Sequence, residues 1–439
     1  MNKFINPGPF TRSFQDLEEE AQYHQLLMII QLLHISNAEF EKISNDQISL
    51  ENYQHAGTFN HELTHFIDHI STLHGQKNLV LQFNAINAWA NGNEREFWRI
   101  KLLFDKIKRD SFTDYFTEIN QPHQGSFAEP WTFKVTSGMR FDSLGHLQDE
   151  LPLLFLRFFD QSGNPLARTP ISVAALHETN AVLADFESRL NFIESIQDPK
   201  LKADELAEVN RDIEDMLYST DYCLYSAAAH LTAKTNDLVE FIDIYTITSQ
   251  IGTLSLNLSE DHIKAMKQKP FFEPEWQRRF NSLTENADIG YCYYRLNENL
   301  IDDFGKANYS IDNVLAASSL PDRKALELEI MGAMIFNMSD LIDGPFKTHA
   351  TLLLNYGMRL FSKRGLDGSK PGFKEWVKQE KPYPTIILSD TIWNVPEKTI
   401  DECIEACIEK NLESSLEEQF KTFTYFNEKF IAFVEACGL

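Results

Sequence analysis

Two histidines four residues apart, His61 and His65, constrain this chain more than any other feature of its sequence. On a helix, residues four apart lie about 40° apart around the axis, so both imidazoles point towards one place on one face. The neighbouring apolar residues also recur with helical spacing, but on a different stripe: Leu63, Phe66, Ile67, Ile70 and Leu73. Histidines that only filled the core would fall within that stripe. The pattern therefore predicts a helix, starting near Thr58 or Asn60 and closed by Gly75, whose histidines hold a metal ion.

The residue between them, Glu62, lies about 100° from His61 around the predicted helix. It flanks the metal position and can take a proton from water rather than bind the ion. Zinc held by two histidines needs a third protein ligand and leaves a fourth position open. Glu178 is the best candidate, because small residues share its predicted helix face and allow a close approach to the histidine helix: Ala174, Ala175 and Ala181.

Other carboxylates remain open as the third ligand or as residues that support the metal ligands. Asp68 lies on the same helical stripe as His61, one turn beyond His65, where it could make a supporting hydrogen bond or face solvent. Asp185 lies two turns after Glu178, where it could orient an imidazole bound to the metal or pair with Arg189.

Hydrolysis of a carbonyl compound also needs a group that stabilises the developing oxyanion. Tyr222, Tyr225 and His230 lie in the predicted helix after the Glu178 segment and are candidates for this role. A core or surface position is the alternative for each.

The run from His61 to His65, together with Glu178, resembles the gluzincin-like zinc metallopeptidases. The resemblance covers two helices, about forty residues in all, and implies a zincin-like fold around a Zn²⁺ ion. It implies that His61, His65 and Glu178 bind the zinc, and that Glu62 is the general base and later the proton donor. A related zincin branch, in which the third ligand follows the first histidine by ten residues, is excluded because Ser71 stands there.

Charge and cysteine content limit the partners and the compartment. The formal net charge of −25 repels nucleic-acid phosphates and anionic membranes, so we expect neither as a partner. Five cysteines without a Cys-x-x-Cys pair indicate a reducing compartment. The N-terminus lacks a secretory signal and no apolar stretch is long enough to span a bilayer, so we expect a cytoplasmic protein. Delivery into another cell by a specialised secretion system would leave the same signature.

Helical periodicity dominates the chain, including predicted helices over residues 16–35 and 82–108. Residues 130–172 alternate and turn like a small β-sheet, after which Ser172 can cap a helix running to about Ile196. From residue 200 the pattern is again helical, with one further strand predicted at Thr385 to Leu388.

These patterns predict an α+β fold that is predominantly helical. We expect a zincin-like catalytic region with a small β-sheet over residues 1–200, and a mainly helical C-terminal region over 201–439. The boundary is soft, and one continuous fold fits the same pattern. The sequence carries no signal for an oligomeric state.

The predicted function is a zinc-dependent hydrolase, in the first instance a metallopeptidase that cleaves a protein or peptide. Two alternatives remain open. One is a binding or scaffold protein that keeps a zincin fold without catalysis, and the other is a zinc hydrolase of a non-peptide amide or ester.

Overall fold

The computed structural model describes residues 21–25, 28–91, 93, 98–99, 116–141, 146–270, 273–344, 346–370 and 384–393. Within them, no helix combines the length and the apolar character needed to cross a membrane.

Helices make up most of the described residues. In chain order they are α1 Asn37–Ser44, α2 Tyr53–Ser71, α3 Leu73–Ala90, α4 Val173–Ser195, α5 Pro199–Tyr218, α6 Cys223–Asn236, α7 Phe241–Asn257, α8 Glu260–Ala265, α9 Pro274–Glu285, α10 Ile289–Phe304, α11 Ile311–Ala317, α12 Arg323–Ser339 and α13 Lys347–Arg364.

The strands form two small sheets. They are β1 Ala21–His24, β2 Ile29–Leu32, β3 Glu118–Ile119, β4 Thr132–Phe141, β5 Leu147–Phe159, β6 Pro165–Pro170, β7 Thr385–Leu388 and β8 Ile392–Trp393. One sheet has the antiparallel order β3-β6-β5-β4. The other has the order β1-β2-β7-β8, in which β2 and β7 are parallel and join distant parts of the chain. The predicted fold class, α+β and predominantly helical, is confirmed.

Several predicted elements are confirmed with close boundaries. The sheet predicted over residues 130–172 is β4 to β6, and the strand predicted at Thr385 to Leu388 is β7. Helix α4 begins after Ser172, whose Oγ accepts a hydrogen bond from the Ala175 amide. It ends at Ser195, one residue before the predicted end.

The prediction of a helix over residues 16–35 is wrong for the residues that the structure describes there. They form β1, a turn and β2. Ile29, Ile30 and Leu32 are buried where β2 pairs with β1 on one side and β7 on the other. A short apolar run fits a buried strand and a buried helix equally well, and here pairing with a distant strand decides. For the helix predicted over 82–108, α3 covers the beginning, and most of residues 92–115 lie outside the described part.

The boundaries of the histidine helix also differ from the prediction. Helix α2 begins at Tyr53, so Thr58 and Asn60 lie inside it and bond to backbone carbonyls four residues earlier. It ends at Ser71, and Gly75 belongs to α3, where its amide donates to the Thr72 hydroxyl. A β-carbon at Gly75 would lie 2.1 Å from the His69 carbonyl oxygen, so the tight junction between the two helices requires glycine.

Helix α2 lies between two packed regions. Its apolar stripe packs in a core cluster with α1, α3, α13, β2 and β7, and it includes Phe59, Leu63, Phe66, Ile67 and Ile70. Its other side packs along α4, which is its most extensive helix neighbour in the described part of the chain. Residues on both sides of position 200 share the core clusters. The domain boundary predicted there stays a prediction.

Helices α2 and α4 run antiparallel, as their contacts show. Gly57, near the start of α2, lies against Asp185 in the second half of α4, whereas Asp68, near the end of α2, contacts His177 and Asn180 in the first half of α4. A β-carbon at Gly57 would lie 2.1 Å from Asp185 Oδ1. Glycine therefore permits the close approach of the two helices at this end.

Candidate metal centre

The structure brings together the two histidines of the motif and the glutamate predicted as their partner. His61, His65 and Glu178 each offer one ligand atom, and these three atoms all lie within 4.8 Å of one another. His61 Nε2 is 3.3 Å from Glu178 Oε2, and His65 Nε2 is 3.4 Å from Glu178 Oε1. Of the three carboxylates considered from sequence, Glu178 completes this cluster, and Asp68 and Asp185 do not belong to it. The cluster could hold a metal ion.

Donor chemistry and spacing both suit an ion at the centre of this cluster. Zinc bonds to histidine nitrogen and carboxylate oxygen are about 2.0–2.2 Å long, so neighbouring ligand atoms of a tetrahedral site lie about 3.3 Å apart. The two histidine nitrogens lie 3.3 and 3.4 Å from different oxygens of Glu178, which are separations of a similar size. Glu178 Oε2 is buried and has no hydrogen-bond partner among the described residues. A buried carboxylate oxygen needs a cation nearby, and here either a metal ion or the protonated imidazole of His61, 3.3 Å away, satisfies it.

The carboxylate of Glu178 affects the two imidazoles differently. Burial disfavours a charge on His61, but its contact with Glu178 outweighs burial and raises the His61 pKa to about 9. For His65, burial prevails over the attraction of Glu178 and lowers the pKa to about 4. The carboxyl group of Glu178 is itself buried, which opposes ionisation, yet the imidazoles of His65 and His61 lower its pKa. The metal-free cluster therefore carries its proton on His61, next to an ionised Glu178.

Glu62 is buried within α2, directly after the first histidine. Its charge is close enough to His61 to raise the pKa of that imidazole, after the larger effects of burial and of Glu178. The general base predicted from sequence therefore lies beside the cluster without being part of it.

Asp185 lies close enough to both partners considered from sequence for their charges to lower its pKa, Arg189 more than His61. Its charge raises the pKa of His61, and its own pKa is raised by burial. Arg189, the alternative partner considered from sequence, donates from Nη2 to Asp212 of α5. Asp185 Oδ1 is buried and has no hydrogen-bond partner among the described residues. Because Nε2 of His61 faces Glu178, Nδ1 is the nitrogen left for a supporting carboxylate.

Asp68 has a structural partner that the sequence did not indicate. Its carboxylate is fully buried and forms an ion pair with Arg364 at the end of α13. Asp68 Oδ2 also accepts a hydrogen bond from Asn180 Nδ2 at 2.8 Å and lies 3.3 Å from His177 Nδ1. Burial opposes ionisation of Asp68, but Arg364 outweighs it and holds the Asp68 pKa well below its usual range.

This network fixes the segment of α4 that carries Glu178. His177 immediately precedes Glu178, and Asn180 follows it by two residues. Asp68 therefore contacts α4 on both sides of the glutamate. Asn180 Nδ2 and Arg364 Nη2 each lie 3.3 Å from the Thr253 hydroxyl of α7. Four helices therefore meet through one charged pair beside the candidate metal centre.

The three oxyanion candidates occupy the segment around the start of α6. His230 is buried, its Nε2 donates to the Leu217 carbonyl at 2.7 Å, and its ring stacks on Trp131. Burial lowers the pKa of His230 to about 4, so the imidazole is neutral in a packed aromatic cluster, which is a core role. Tyr222, in a short 3-10 turn, and Tyr225 face each other edge to face, and their assignment stays a prediction.

Sequence reasoning missed the contact of His177 with Asp68 and did not consider Arg364. His177 adjoins the predicted ligand, and its contact with Asp68 could have been sought once α2 and α4 were placed side by side. Arg364 is 296 residues from Asp68, and no motif marks it.

Comparison with models of known protein families, with curated proteins and with solved structures finds no match for this chain. The resemblance to gluzincin-like metallopeptidases therefore rests on the sequence motif and stays a prediction.

Proposed function

We propose that the chain is a zinc-dependent hydrolase, and specifically a metallopeptidase acting on a protein or peptide. The observation that carries the proposal is the approach of Glu178, from a helix far along the chain, to both histidines of the motif. The motif can occur in a sequence by chance. Chance does not explain why the buried carboxylate of Glu178 lies next to both histidines of the motif.

The ligand set favours zinc over other common ions. Two imidazoles and one carboxylate suit zinc, whereas magnesium and calcium prefer oxygen ligands alone. Three protein ligands leave a coordination position open, as in catalytic rather than structural zinc sites. A zinc ion held by His61, His65 and Glu178 would polarise a carbonyl group and make water more acidic.

The remaining chemistry falls to the side chains around the cluster. Glu62 removes a proton from the attacking water and later delivers it to the leaving amine. It can do so because it is buried beside His61 and is not one of the three ligands. Asp185 supports His61 from the side away from Glu178. Asp68 and Arg364 hold α4 in register with α2, and so act through Glu178 rather than on the substrate.

Cleavage of a peptide library by the zinc-loaded protein, followed by mass spectrometry, tests this proposal. The variant Glu62→Gln should keep zinc and lose about 10²–10⁴-fold in kcat/KM, which is the usual contribution of a positioned acid or base. Glu51→Gln, an exposed position just before α2, is the matched control and should retain activity. Equal cleavage by wild type and Glu62→Gln would contradict the assignment.

The same experiment distinguishes the alternatives. Turnover of esters or non-peptide amides, with no cleavage of any peptide, would change the substrate class and leave the zinc chemistry in place. Tight capture of a protein by the zinc-loaded chain without any turnover would favour a binding role.

A further inference from the structure

Helix α12 carries large apolar side chains on two opposite faces. Its inner face is buried in the core through Leu326, Ile330 and Met334. On its outer face Leu328 is 62% exposed and Phe336 is 68% exposed. A surface helix normally has one apolar face, and a second one marks a site of interaction.

A glycine lies at the centre of this outer face. Gly332 is exposed, and a β-carbon placed there would meet nothing within 4 Å. Glycine in the interior of a helix makes the helix less stable than alanine would. Packing within the described chain gives no reason for it, whereas close approach of a second backbone does.

The residues on either side of the glycine form a row that is complementary to itself. Lys324, Leu328, Gly332, Phe336 and Asp340 follow one another at four-residue intervals and are all exposed. If a second copy of the helix crosses it antiparallel, with the twofold axis at Gly332, Leu328 faces Phe336 and Lys324 faces Asp340. Apolar side chains then meet apolar ones, and opposite charges meet at both ends.

The charged residues next to this row already have partners within their own chain. Arg323 lies near Asp312 and Asp367, and Glu329 pairs with His262 of α8. Neither Lys324 nor Asp340 is joined to another side chain by an ion pair in the part of the chain that the structure describes, so both charges remain for a partner.

We infer that α12 is a self-association surface, on which two copies of this chain pair antiparallel about Gly332. Rows of residues four apart run parallel to each other at the crossing angle of the commonest class of helix packing, and a twofold axis uses the same patch on both subunits. Glycine at the crossing point places the two axes at the short end of the usual 8–10 Å range. The surface is separate from the metal ligands, which lie on α2 and α4.

The predicted dimer is weak. One helix face is smaller than the roughly 800 Å² per partner of a standard stable interface. The net charge of −25 on each copy also opposes association. We therefore expect micromolar affinity, measured at physiological ionic strength, where the Debye length of about 8 Å limits the repulsion.

Sedimentation velocity over a concentration series from low to high micromolar tests this inference. The average mass of the wild type should rise from that of the 50.7 kDa monomer towards twice that value. Phe336→Glu should remain monomeric at every concentration. Val239→Glu, a matched change at a residue that is 78% exposed elsewhere, should associate like the wild type.

Two further variants test the register. Lys324→Glu should weaken the dimer, and adding Asp340→Lys should restore it, because the charges then meet again in reverse. Gly332→Cys should form a disulfide between copies under mild oxidation, and the exposed Glu285→Cys at the end of α9 should not.

Three results would overturn the inference. A wild-type protein that stays monomeric throughout excludes self-association. A dimer that persists in Phe336→Glu uses another surface. A monomeric wild type whose thermal stability falls in Phe336→Glu shows that another part of its own chain covers α12.

Discussion

The two motif histidines differ in the pKa values of their imidazoles, and Glu178 is the largest charged influence on that of His61. Both imidazoles are largely buried, which disfavours protonation, but Glu178 holds the His61 pKa at about 9 while that of His65 is about 4. A metal ion binds neutral imidazole, so the ion must displace the proton from His61. Below pH 9 the proton competes with the metal, and metal affinity should therefore rise with pH up to about that value.

This protonation pattern gives the first prediction. In the metal-free protein at pH 7, His61 should be protonated and His65 neutral, as seen by nitrogen chemical shifts of the histidine side chains in a pH titration. Glu178→Gln removes the carboxylate that stabilises the charge, so the pKa of His61 should fall below 7 in that variant. A neutral His61 in the wild type at pH 7 would contradict the electrostatic account.

At the scale of single residues, the sequence predicted the three residues of the cluster better than their surroundings. The four-residue spacing of His61 and His65 and the small residues around Glu178 contained enough information to bring the three together. Arg364 could not be found this way, because a buried arginine has no local signature and its partner lies in a distant helix. His230 was proposed because it lies close to the Glu178 segment in the chain. In the structure its ring stacks on Trp131, within an aromatic cluster of the core.

Among the elements, the pairing of α2 with α4 is decisive, because it determines where Glu178 lies. Asp68 and Arg364 form a buried ion pair at this contact. Such a pair adds little net stability, but removing one member leaves an uncompensated buried charge. The low pKa of Asp68 means that the pair contributes at neutral pH and is lost only when acid protonates the folded carboxylate.

The second prediction follows from that asymmetry. Arg364→Met should lower the free energy of unfolding by about 3–5 kcal/mol, measured by urea denaturation. Combining it with Asp68→Asn should recover most of the loss, because no buried charge then remains. Arg278→Met, which removes an exposed pair with Glu275, is the control and should lower the free energy of unfolding far less than Arg364→Met does. A double variant no more stable than Arg364→Met would contradict this interpretation.

Element boundaries were predictable where local chemistry defines them. Ser172 begins α4 as a cap, and β7 has the apolar run of a short buried strand. The start of α2 was misplaced because Thr58 and Asn60 are good capping residues by type, yet they bond within the helix. Propensity for a cap does not show where the helix hydrogen bonds begin.

Across the whole molecule, the sequence predicted the class of fold and not its long-range connections. The parallel pairing of β2 with β7 and the contact of α13 with α2 join residues more than 290 positions apart. Such contacts depend on the packing of complete elements, so a single sequence does not reveal them. They place the C-terminal half of the chain around a cluster whose three residues all lie before residue 200.

The metal content of the purified protein tests the central claim most directly. Mass spectrometry of the wild type should find about one zinc per chain, because three protein ligands converge on a single point. His61→Ala and Glu178→Ala should lose the ion, and Glu62→Gln should keep it. A wild-type protein that holds no metal after zinc is supplied, or a Glu178→Ala variant that holds as much as the wild type, would contradict the account.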